Sequence, residues 1–527
     1  MTVNIVIGIG GTGAKVVESI LHMTAAGLVA EQLQVGLVDQ DRSNGNVNRT
    51  ERLIETLIKS RKVWREGSGV HALGNSPLFR SDIRKISNNE NVWTPHPSAN
   101  VTLAQIFDRE SMSEQEQRLF DGLFAIGQGA GDTEQRMPLD QGYRGRPHIG
   151  AAAMTSRIED DIDFWRQLLE AVNAARGSRD VNILLAGSVF GGTGAAGFPT
   201  LAKLIRRKIP NGAENVRIGG VLMLPYFDFA APPSDDAESS DANVARAEEL
   251  AQQSKNALKY YADMLSREQV FDQLYMVGWD TPFSVGDHHA GANAQENPPL
   301  PPEVFAGLAA ARFFQDKSGK TERSEVYTVA RAETDTLTWS DLPSPVADSH
   351  APLRAIGRLL RFAASWKYWS SIVSRPRSGV SRLVNRDPWF KLQQLGKIDF
   401  RAAAPENEVR ALDGYVDDLL RWAASIEVHA NAAKLDFRLW KLEEIIARTG
   451  DGSPRFNLPA ALQERQHDNL LNRLIVPGPT TGNLPNSADL LHRLSTEVEE
   501  DSGQRGIGVF VSALHAFSDI EPAAASN

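Results

Sequence analysis

The pattern of apolar positions in the first half of the chain predicts strands and helices in alternation. Unbroken, mainly apolar runs predict buried strands at Val3–Ile7, Leu33–Val38, Val181–Ala186, Ile218–Leu224 and Leu274–Val277. Helical spacing follows at Ala14–Ala25, Leu201–Ile209, Ala245–Leu265 and Pro302–Phe314. Because the strands do not alternate apolar with polar residues, we expect a mostly parallel sheet that helices cover on both faces.

The second half of the chain has a different, mainly helical pattern. Leu353, Ile356 and Leu360 recur at helical spacing. The sequence therefore predicts an α/β domain at residues 1–345 and a helical or mixed C-terminal domain at residues 346–527, with a flexible tail. Two segments rich in Gly, Pro, Ser, Asn or Asp, Pro232–Asp241 and Gly286–Pro302, read as loop insertions.

Composition narrows the classes of function. The 527 residues carry a net charge of −10, which gives the whole molecule no electrostatic reason to bind nucleic acid or an anionic membrane. The absence of cysteine excludes disulfides, thiolate metal sites and cysteine nucleophiles. No export signal and no uninterrupted apolar run of membrane-spanning length stand out, so we expect a soluble cytoplasmic protein.

A glycine-rich loop follows the first predicted strand and opens the first predicted helix. It reads GIGGTGAK at Gly8–Lys15, and Gly8, Gly10 and Gly13 fit the spacing GxGxxG. Missing side chains let backbone N–H groups approach phosphate oxygens at a helix N-terminus. The loop is not a Walker A motif, so it indicates a phosphate without naming the nucleotide, unless its glycines only permit close packing.

A second glycine-rich loop follows the strand at Val181–Ala186. It reads FGGTGAAGFP at Phe190–Pro199 and resembles the tubulin signature loop, which in FtsZ typically reads GGGTGTGAAP. The two strings agree at Gly191, Gly192, Thr193, Gly194 and Pro199. A dehydrogenase has no need of a second phosphate loop late in its sheet, so this loop favours the tubulin-like reading.

Other strings resemble the same family in the order that the family requires. The opening NIVIGIGGTGAK is similar to the first strand and loop of FtsZ, and GQGAG at Gly127–Gly131 resembles the third phosphate loop. VLMLPYFDF at Val221–Phe229 is similar to the FtsZ strand that ends VVTxPFxFE. Over residues 1–340 the chain is identified as a member of the tubulin/FtsZ superfamily, closest to divergent bacterial tubulin-like proteins.

The resemblance implies a tubulin/FtsZ-type fold, which is an α/β domain with a mostly parallel sheet and a central helix. It also implies GTP or GDP with Mg²⁺, and self-assembly head-to-tail into filaments with the nucleotide at the subunit junction. The positions that would contact the nucleotide are Gly10, Gly11, Thr12, Gly13, Asp39, Gly129, Ala130, Gly131, Gly191, Gly192, Thr193, Gly194, Asp228 and Trp279. Asp39 would face the nucleotide or cap a turn, and Trp279 would stack on the base or belong to the core.

Hydrolysis is a separate expectation, because the FtsZ string NxDFADV is missing after the predicted central helix. Asp316 and Asp341 are the nearest candidates for the catalytic carboxylates, and each also fits a solvated loop residue.

Two other functions stay open on the sequence. One is a non-hydrolysing, nucleotide-gated interaction protein in a bacterial stress or defence system, and the other is an NAD-dependent oxidoreductase with Asp39 on the ribose.

A stretch of basic residues begins the helical half. The stretch contains no acid before Asp387 and comprises Arg354, Arg358, Arg361, Lys367, Arg375, Arg377, Arg382 and Arg386. In an acidic chain it could dock an acidic partner, such as a neighbouring subunit or nucleic acid, or it could form salt bridges with the rest of the chain.

Overall fold

The structure is a computed structural model of the 527-residue chain. It describes residues 2–29, 32–67, 77–124, 134–140, 142–143, 145–157, 162–174, 180–209, 215–228, 247–285, 296–331, 335–373, 403–442, 446–448, 454–456, 474–476 and 507–520.

A parallel sheet forms the centre of the molecule, as the unbroken apolar runs predict. Its strands are β1 (Val3–Ile9), β2 (Gln32–Val38), β3 (Asp82–Lys85), β4 (Val92–Trp93), β5 (Val181–Ser188), β6 (Val216–Met223), β8 (Gln273–Val277) and β10 (Glu325–Val329). The order across the sheet is β10-β8-β6-β5-β1-β2-β3, with β4 paired to the end of β2. Every pairing in this sheet is parallel.

The chain changes direction across the sheet between β1 and β5. From β1 it moves outward to β2, β3 and β4, and it then returns to β5 on the other side of β1 before continuing to β6, β8 and β10. Ligands of open α/β sheets bind at such a switch point, outside the carboxyl ends of the strands. We therefore expect a ligand site at the segments that follow β1 and β5.

The helices pack against the sheet and against one another. They are α1 (Gly10–Ala25), α2 (Gly45–Gly67), α3 (Leu103–Ile106), α4 (Glu114–Leu123), α5 (Pro147–Thr155), α6 (Asp163–Ala174), α7 (Thr193–Lys208), α8 (Ala247–Arg267), α9 (Pro301–Gln315), α10 (Arg358–Val373), α11 (Ala403–Ala432) and α12 (Ile507–Phe517). No helix within these described ranges is long and apolar enough to cross a membrane.

Helix α9 corresponds to the predicted central helix and spans the height of the sheet. Its first turn lies at the carboxyl edge, where Glu303 contacts Tyr226, three residues beyond the end of β6. Its far end lies at the amino edge, where Asp316 accepts a hydrogen bond from Gln273, the first residue of β8. Fifteen residues at 1.5 Å each make α9 about 22 Å long, so it joins the two edges directly.

The C-terminal helices pack onto the α/β part. The indole of Trp422 on α11 donates to Ser19 Oγ on α1 at 3.3 Å, and Ser60 Oγ on α2 donates to the carbonyl of Ala411 at 3.0 Å. Three short pairs of strands complete the described structure: β7 (Phe227–Asp228) with β9 (Phe283–Ser284), β11 (Thr336–Thr338) with β12 (Asp436–Arg438), and β13 (Ile446–Arg448) with β14 (Pro454–Phe456). The division at residues 345 and 346 stays a prediction.

Candidate functional site

The two glycine loops meet at the switch point. Gly10 has φ +72°, a conformation that favours glycine, and a Cβ atom there would lie 3.0 Å from the amide nitrogen of Gly194. Gly191 also has a positive φ and stands just before α7, with open space on its Cβ side. The half-buried Gly11, Thr12 and Gly192 complete the rim of the two loops, which we call the cradle. Its backbone N–H groups at two helix N-termini are suited to an anion.

Gly13 sets how closely α1 approaches the sheet. A Cβ atom at this position would lie 2.4 Å from the carbonyl oxygen of Ala186 on β5. That distance is shorter than any unstrained contact, so only glycine lets α1 start directly over the neighbouring strand. The glycine spacing of the first loop therefore has a packing reason in addition to any ligand.

Asp39 and Thr193 form the floor of the cradle. Asp39 follows β2, is 2% exposed and accepts a hydrogen bond from Thr193 Oγ1 at 3.0 Å. The other carboxylate oxygen accepts from Asn44 Nδ2 at 3.0 Å, and the backbone N–H of Asp41 donates to Asp39 Oδ1 at 3.2 Å. Residues 154 positions apart in sequence thus converge under the two loops.

The environment of Asp39 disfavours its charge. Burial raises the pKa of Asp39 to about 7, and the nearby carboxylate of Asp41 adds to the effect. The hydrogen bonds from Asp41 N–H and Thr193 act in the opposite direction without cancelling it. Perturbed pKa values of this kind cluster at functional sites.

Several polar residues of the site escape prediction from the sequence. Gln40 Nε2 donates to the carbonyl of His96 at 2.7 Å, and the hydroxyl of Tyr143 donates to Gln40 Oε1 at 3.3 Å. Asn44 and Asn46 place their side-chain amides against Gly11, and the buried Oδ1 of Asn46 has no hydrogen-bond partner among the residues that the structure describes. The polar string that follows β2 is the signal that could have found them. A buried acceptor such as Asn46 Oδ1 calls for a donor from water or a ligand.

Lys15, the basic residue of the first loop, turns away from the cradle. Its Nζ lies 2.6 Å from Glu303 Oε1 on α9, and both side chains are fully buried. Tyr226 also donates its hydroxyl to Glu303 Oε1 at 2.6 Å. Burial lowers the pKa of Lys15 although Glu303 opposes the shift. This buried pair joins the start of α1 to the start of α9.

Asp228 and Trp279 lie on one side of the second loop. Asp228 follows Phe227, whose ring centroid is 5.4 Å from that of Phe190 in the loop. Trp279 packs edge-on against Phe305 of α9 at 5.6 Å, and the guanidinium of Arg331 lies 5.0 Å from its ring centroid. These contacts give Trp279 a packing role, and its stacking on a base stays a prediction.

Asp316 lies at the opposite edge of the sheet from the cradle. It lines a groove of about 710 Å³ together with Gln273, Tyr275, Arg312 and Glu325. Its carboxylate accepts from Gln273 Nε2 at 2.7 Å and from the N–H and hydroxyl of Ser318. Partial burial opposes ionisation, but these hydrogen bonds outweigh it and lower the pKa of Asp316.

Asp341, the other catalytic candidate, caps a short helix. Its Oδ2 accepts from the backbone N–H of Thr338 at 2.7 Å and from the Thr338 hydroxyl at 2.8 Å, which satisfies the start of the 3₁₀ turn Trp339–Asp341. Asp316 therefore lies at the edge opposite the cradle and Asp341 has a local capping role, and a catalytic role for either carboxylate stays a prediction. The predicted third loop, with Gly129, Ala130 and Gly131, lies outside the described residues.

Three residues of the basic stretch pair with acids in the part of the helical half that the structure describes. Arg354 contacts Asp348, Arg358 contacts Asp519, and Lys367 Nζ lies 3.0 Å from Asp417. These pairs favour the salt-bridged interpretation over a free basic face. The four arginines from residue 375 to residue 386 lie outside the described residues.

The fold and the cradle together define a class: an α/β protein with two glycine loops and buried polar side chains at the switch point of a parallel sheet. A protein-family model described as "Tubulin like" matches residues 5–283, more than half of the chain, and the protein therefore belongs to this tubulin-like family. The match confirms the resemblance to the tubulin/FtsZ superfamily and the fold class that it implies. No match was found among curated proteins or among solved structures.

Proposed function

We propose that the cradle binds GTP or GDP through its phosphates. The observation that carries the proposal is the contact between the two glycine loops at the switch point, where Gly10 lies against Gly194 and Thr193 lies below them. Backbone N–H groups at the starts of α1 and α7 supply donors, and the helix dipoles favour an anion there. Membership of the tubulin-like family supports GTP over other nucleotides.

Mg²⁺ is expected to arrive with the nucleotide. Enzymes commonly hold this ion through substrate phosphates and water, with few protein ligands. The described residues contain no group of three or more acidic or histidine side chains that could hold a metal by themselves. An Mg²⁺ ion that is bound mainly by the nucleotide phosphates and water would not need such a group of protein ligands.

We further propose head-to-tail assembly, in which the amino edge of one subunit approaches the cradle of the next. Helix α9 supports this arrangement because its first turn lies at the carboxyl edge, where Glu303 contacts Tyr226, and its far end lies beside Asp316 at the opposite edge. Repeating such a contact between different surfaces produces an open filament. The groove at Asp316 would then face the nucleotide of the neighbouring subunit.

Chromatography of whatever small molecule leaves the heat-denatured protein tests the ligand. Guanine nucleotide is the expected result, whereas NAD would favour the oxidoreductase and would contradict the proposal. Sedimentation of the purified protein with GTP and Mg²⁺ tests assembly. Pelleting that requires both is expected, and protein that stays in the supernatant under every nucleotide condition would contradict the filament.

A non-hydrolysing nucleotide-gated interaction protein is the second candidate. It is favoured by Asp316 and Asp341, because both carboxylates already accept hydrogen bonds that stabilise local structure. Phosphate release from GTP separates the two candidates. Stoichiometric binding without release of phosphate, in assembled and unassembled protein alike, selects the second.

A further inference from the structure

The hydroxyl of Thr193 already has an acceptor inside the protein. A threonine hydroxyl has one proton to donate, and the proton of Thr193 points to Asp39 Oδ1 at 3.0 Å. Thr193 is 7% exposed and Asp39 is 2% exposed, so the hydrogen bond is shielded from water. If the Thr193 hydroxyl donated to a phosphate, its hydrogen bond to Asp39 would first have to break.

The surroundings of the Asp39 carboxylate resemble those of a bound anion. Its two oxygens receive a side-chain hydroxyl from Thr193, a side-chain amide from Asn44 and the backbone N–H of Asp41. Hydroxyls, amides and backbone N–H groups in loops are also the donors that phosphates use. The carboxylate therefore occupies donors of the kind that the proposed ligand needs.

Among the described residues, no cation balances the charge of Asp39. Lys15, the basic residue in the adjoining loop, is directed to Glu303 instead, and the described residues give Asp39 no ion pair. The titratable groups that face Asp39 are Asp41 on its own loop and Tyr143 from the segment before α5. Burial raises the pKa of Asp39 to about 7, in agreement with a carboxylate that lacks a compensating charge.

We infer that Asp39 is a specificity-determining residue that competes with the phosphate of the ligand for the Thr193 hydroxyl. This inference rests on the proposed function of the cradle and gives Asp39 a role opposite to that of a nucleotide-binding residue. Asp39 weakens the binding of phosphate, because an anionic ligand must displace a hydrogen bond and then tolerate a buried negative charge. The cradle thereby discriminates against anions that make too few contacts to offset this cost.

Titration calorimetry with GTP in magnesium-containing buffer tests the inference on the full-length chain. Asp39→Asn keeps the shape of the side chain but offers Thr193 a weaker, uncharged acceptor, so we expect GTP to bind about tenfold more tightly than to the wild type. Asp41→Asn is the matched control, since it removes the same charge two residues away without touching Thr193. We expect that control to change the affinity by less than about threefold.

A double variant shows whether the tighter GTP binding of Asp39→Asn depends on the Thr193 hydroxyl. The tighter binding of Asp39→Asn should largely disappear in Asp39→Asn/Thr193→Val, because the released hydroxyl is then absent. Asp39→Ser replaces Asp39→Asn if thermal unfolding shows that the asparagine variant does not fold, and the same direction of change is expected.

The outcomes separate this inference from the function on which it rests. Wild-type protein that binds GTP, with unchanged or weaker binding by Asp39→Asn, would overturn the competition and leave the nucleotide site intact. An equal gain in Asp41→Asn would also overturn it, because the effect would then be one of net charge. Absence of GTP binding in every variant would contradict the proposed function and this inference together.

Discussion

The two edges of the parallel sheet treat the same kind of side chain in opposite ways. At the carboxyl edge, Asp39 is buried, has no ion pair within the described part of the chain, and its pKa is raised. At the amino edge, Asp316 is hydrogen-bonded by Ser318 and Gln273, and its pKa is lowered. The surroundings thus stabilise the charged carboxylate at the amino edge and destabilise the charged carboxylate at the carboxyl edge. Proteins tolerate such unfavourable environments mainly at functional sites, so the contrast supports the proposed ligand site at the carboxyl edge.

The pH dependence of stability offers the largest expected difference between the two edges. In the unfolded chain Asp39 ionises near pH 3.8, whereas in the folded chain it ionises near pH 7. Between these values the folded state binds the proton more tightly, so rising pH removes up to about 4 kcal/mol of unfolding free energy. Asp39→Asn should abolish this fall in chemical denaturation curves recorded from pH 4 to pH 8.

Asp316→Asn is the control at the other edge and should act with the opposite sign. The folded pKa of Asp316 is lowered, so its contribution is present at neutral pH and is lost as the pH falls through that value. If the free energy of unfolding depended on pH in the same way in both variants, the contrast between the two edges would be refuted.

The buried pair of Lys15 and Glu303 gives the next largest effect. Lys15→Met leaves Glu303 buried without its cation and should lower the free energy of unfolding by about 3 kcal/mol. The double variant Lys15→Met/Glu303→Leu should regain much of this loss, because the unpaired charge is then gone as well. Denaturation of the three proteins in parallel makes the comparison, and a double variant no better than Lys15→Met would show that the cost lies in packing.

Gly13 tests the close approach of α1 to β5. Gly13→Ala places a methyl group against the carbonyl oxygen of Ala186 and should cost about 2 kcal/mol, with weaker GTP binding because the loop must shift. Gly122→Ala, on the exposed helix α4, is the matched control, because no described residue lies within 4 Å of the new atom. It should be neutral or slightly stabilising by thermal denaturation. Equal losses in both variants would refute the packing role.

Asp341 gives the smallest effect, because its role in the structure is to cap one turn. Asp341→Ala removes two hydrogen bonds to Thr338 and should cost about 1 kcal/mol in chemical denaturation. GTP affinity should not change. If nucleotide turnover disappears while stability is kept, Asp341 has a catalytic role that its capping geometry does not reveal.

Much of the sheet could be predicted from the sequence because its strands are buried on both faces. The predicted run Val3–Ile7 lies within β1, and the prediction at Leu274–Val277 misses only the first residue of β8. The start of α7 is different. Helical spacing begins at Leu201, whereas the helix begins at Thr193, because glycine and alanine in the signature loop carry no amphipathic pattern.

The candidate site was predictable only in its backbone part. Glycine strings reveal turns and close approaches, and they located both loops. The partners of side chains depend on tertiary packing between distant segments, so neither the Thr193–Asp39 hydrogen bond nor the Lys15–Glu303 pair could be read from spacing. For the same reason the hydrogen bonds of Asp316 with Gln273 and Ser318 and the capping role of Asp341 emerged only with the structure.

The central claim is that the cradle at the carboxyl edge holds the nucleotide. Its most direct test is calorimetric titration of GTP into wild-type protein, Thr193→Val and Thr200→Val. The last is the same substitution about two turns further along α7, where the hydroxyl donates to the carbonyl of Ala196 within the helix. We predict that Thr193→Val weakens binding by about tenfold or more while Thr200→Val binds as the wild type does. Equal affinities for all three proteins would contradict the account.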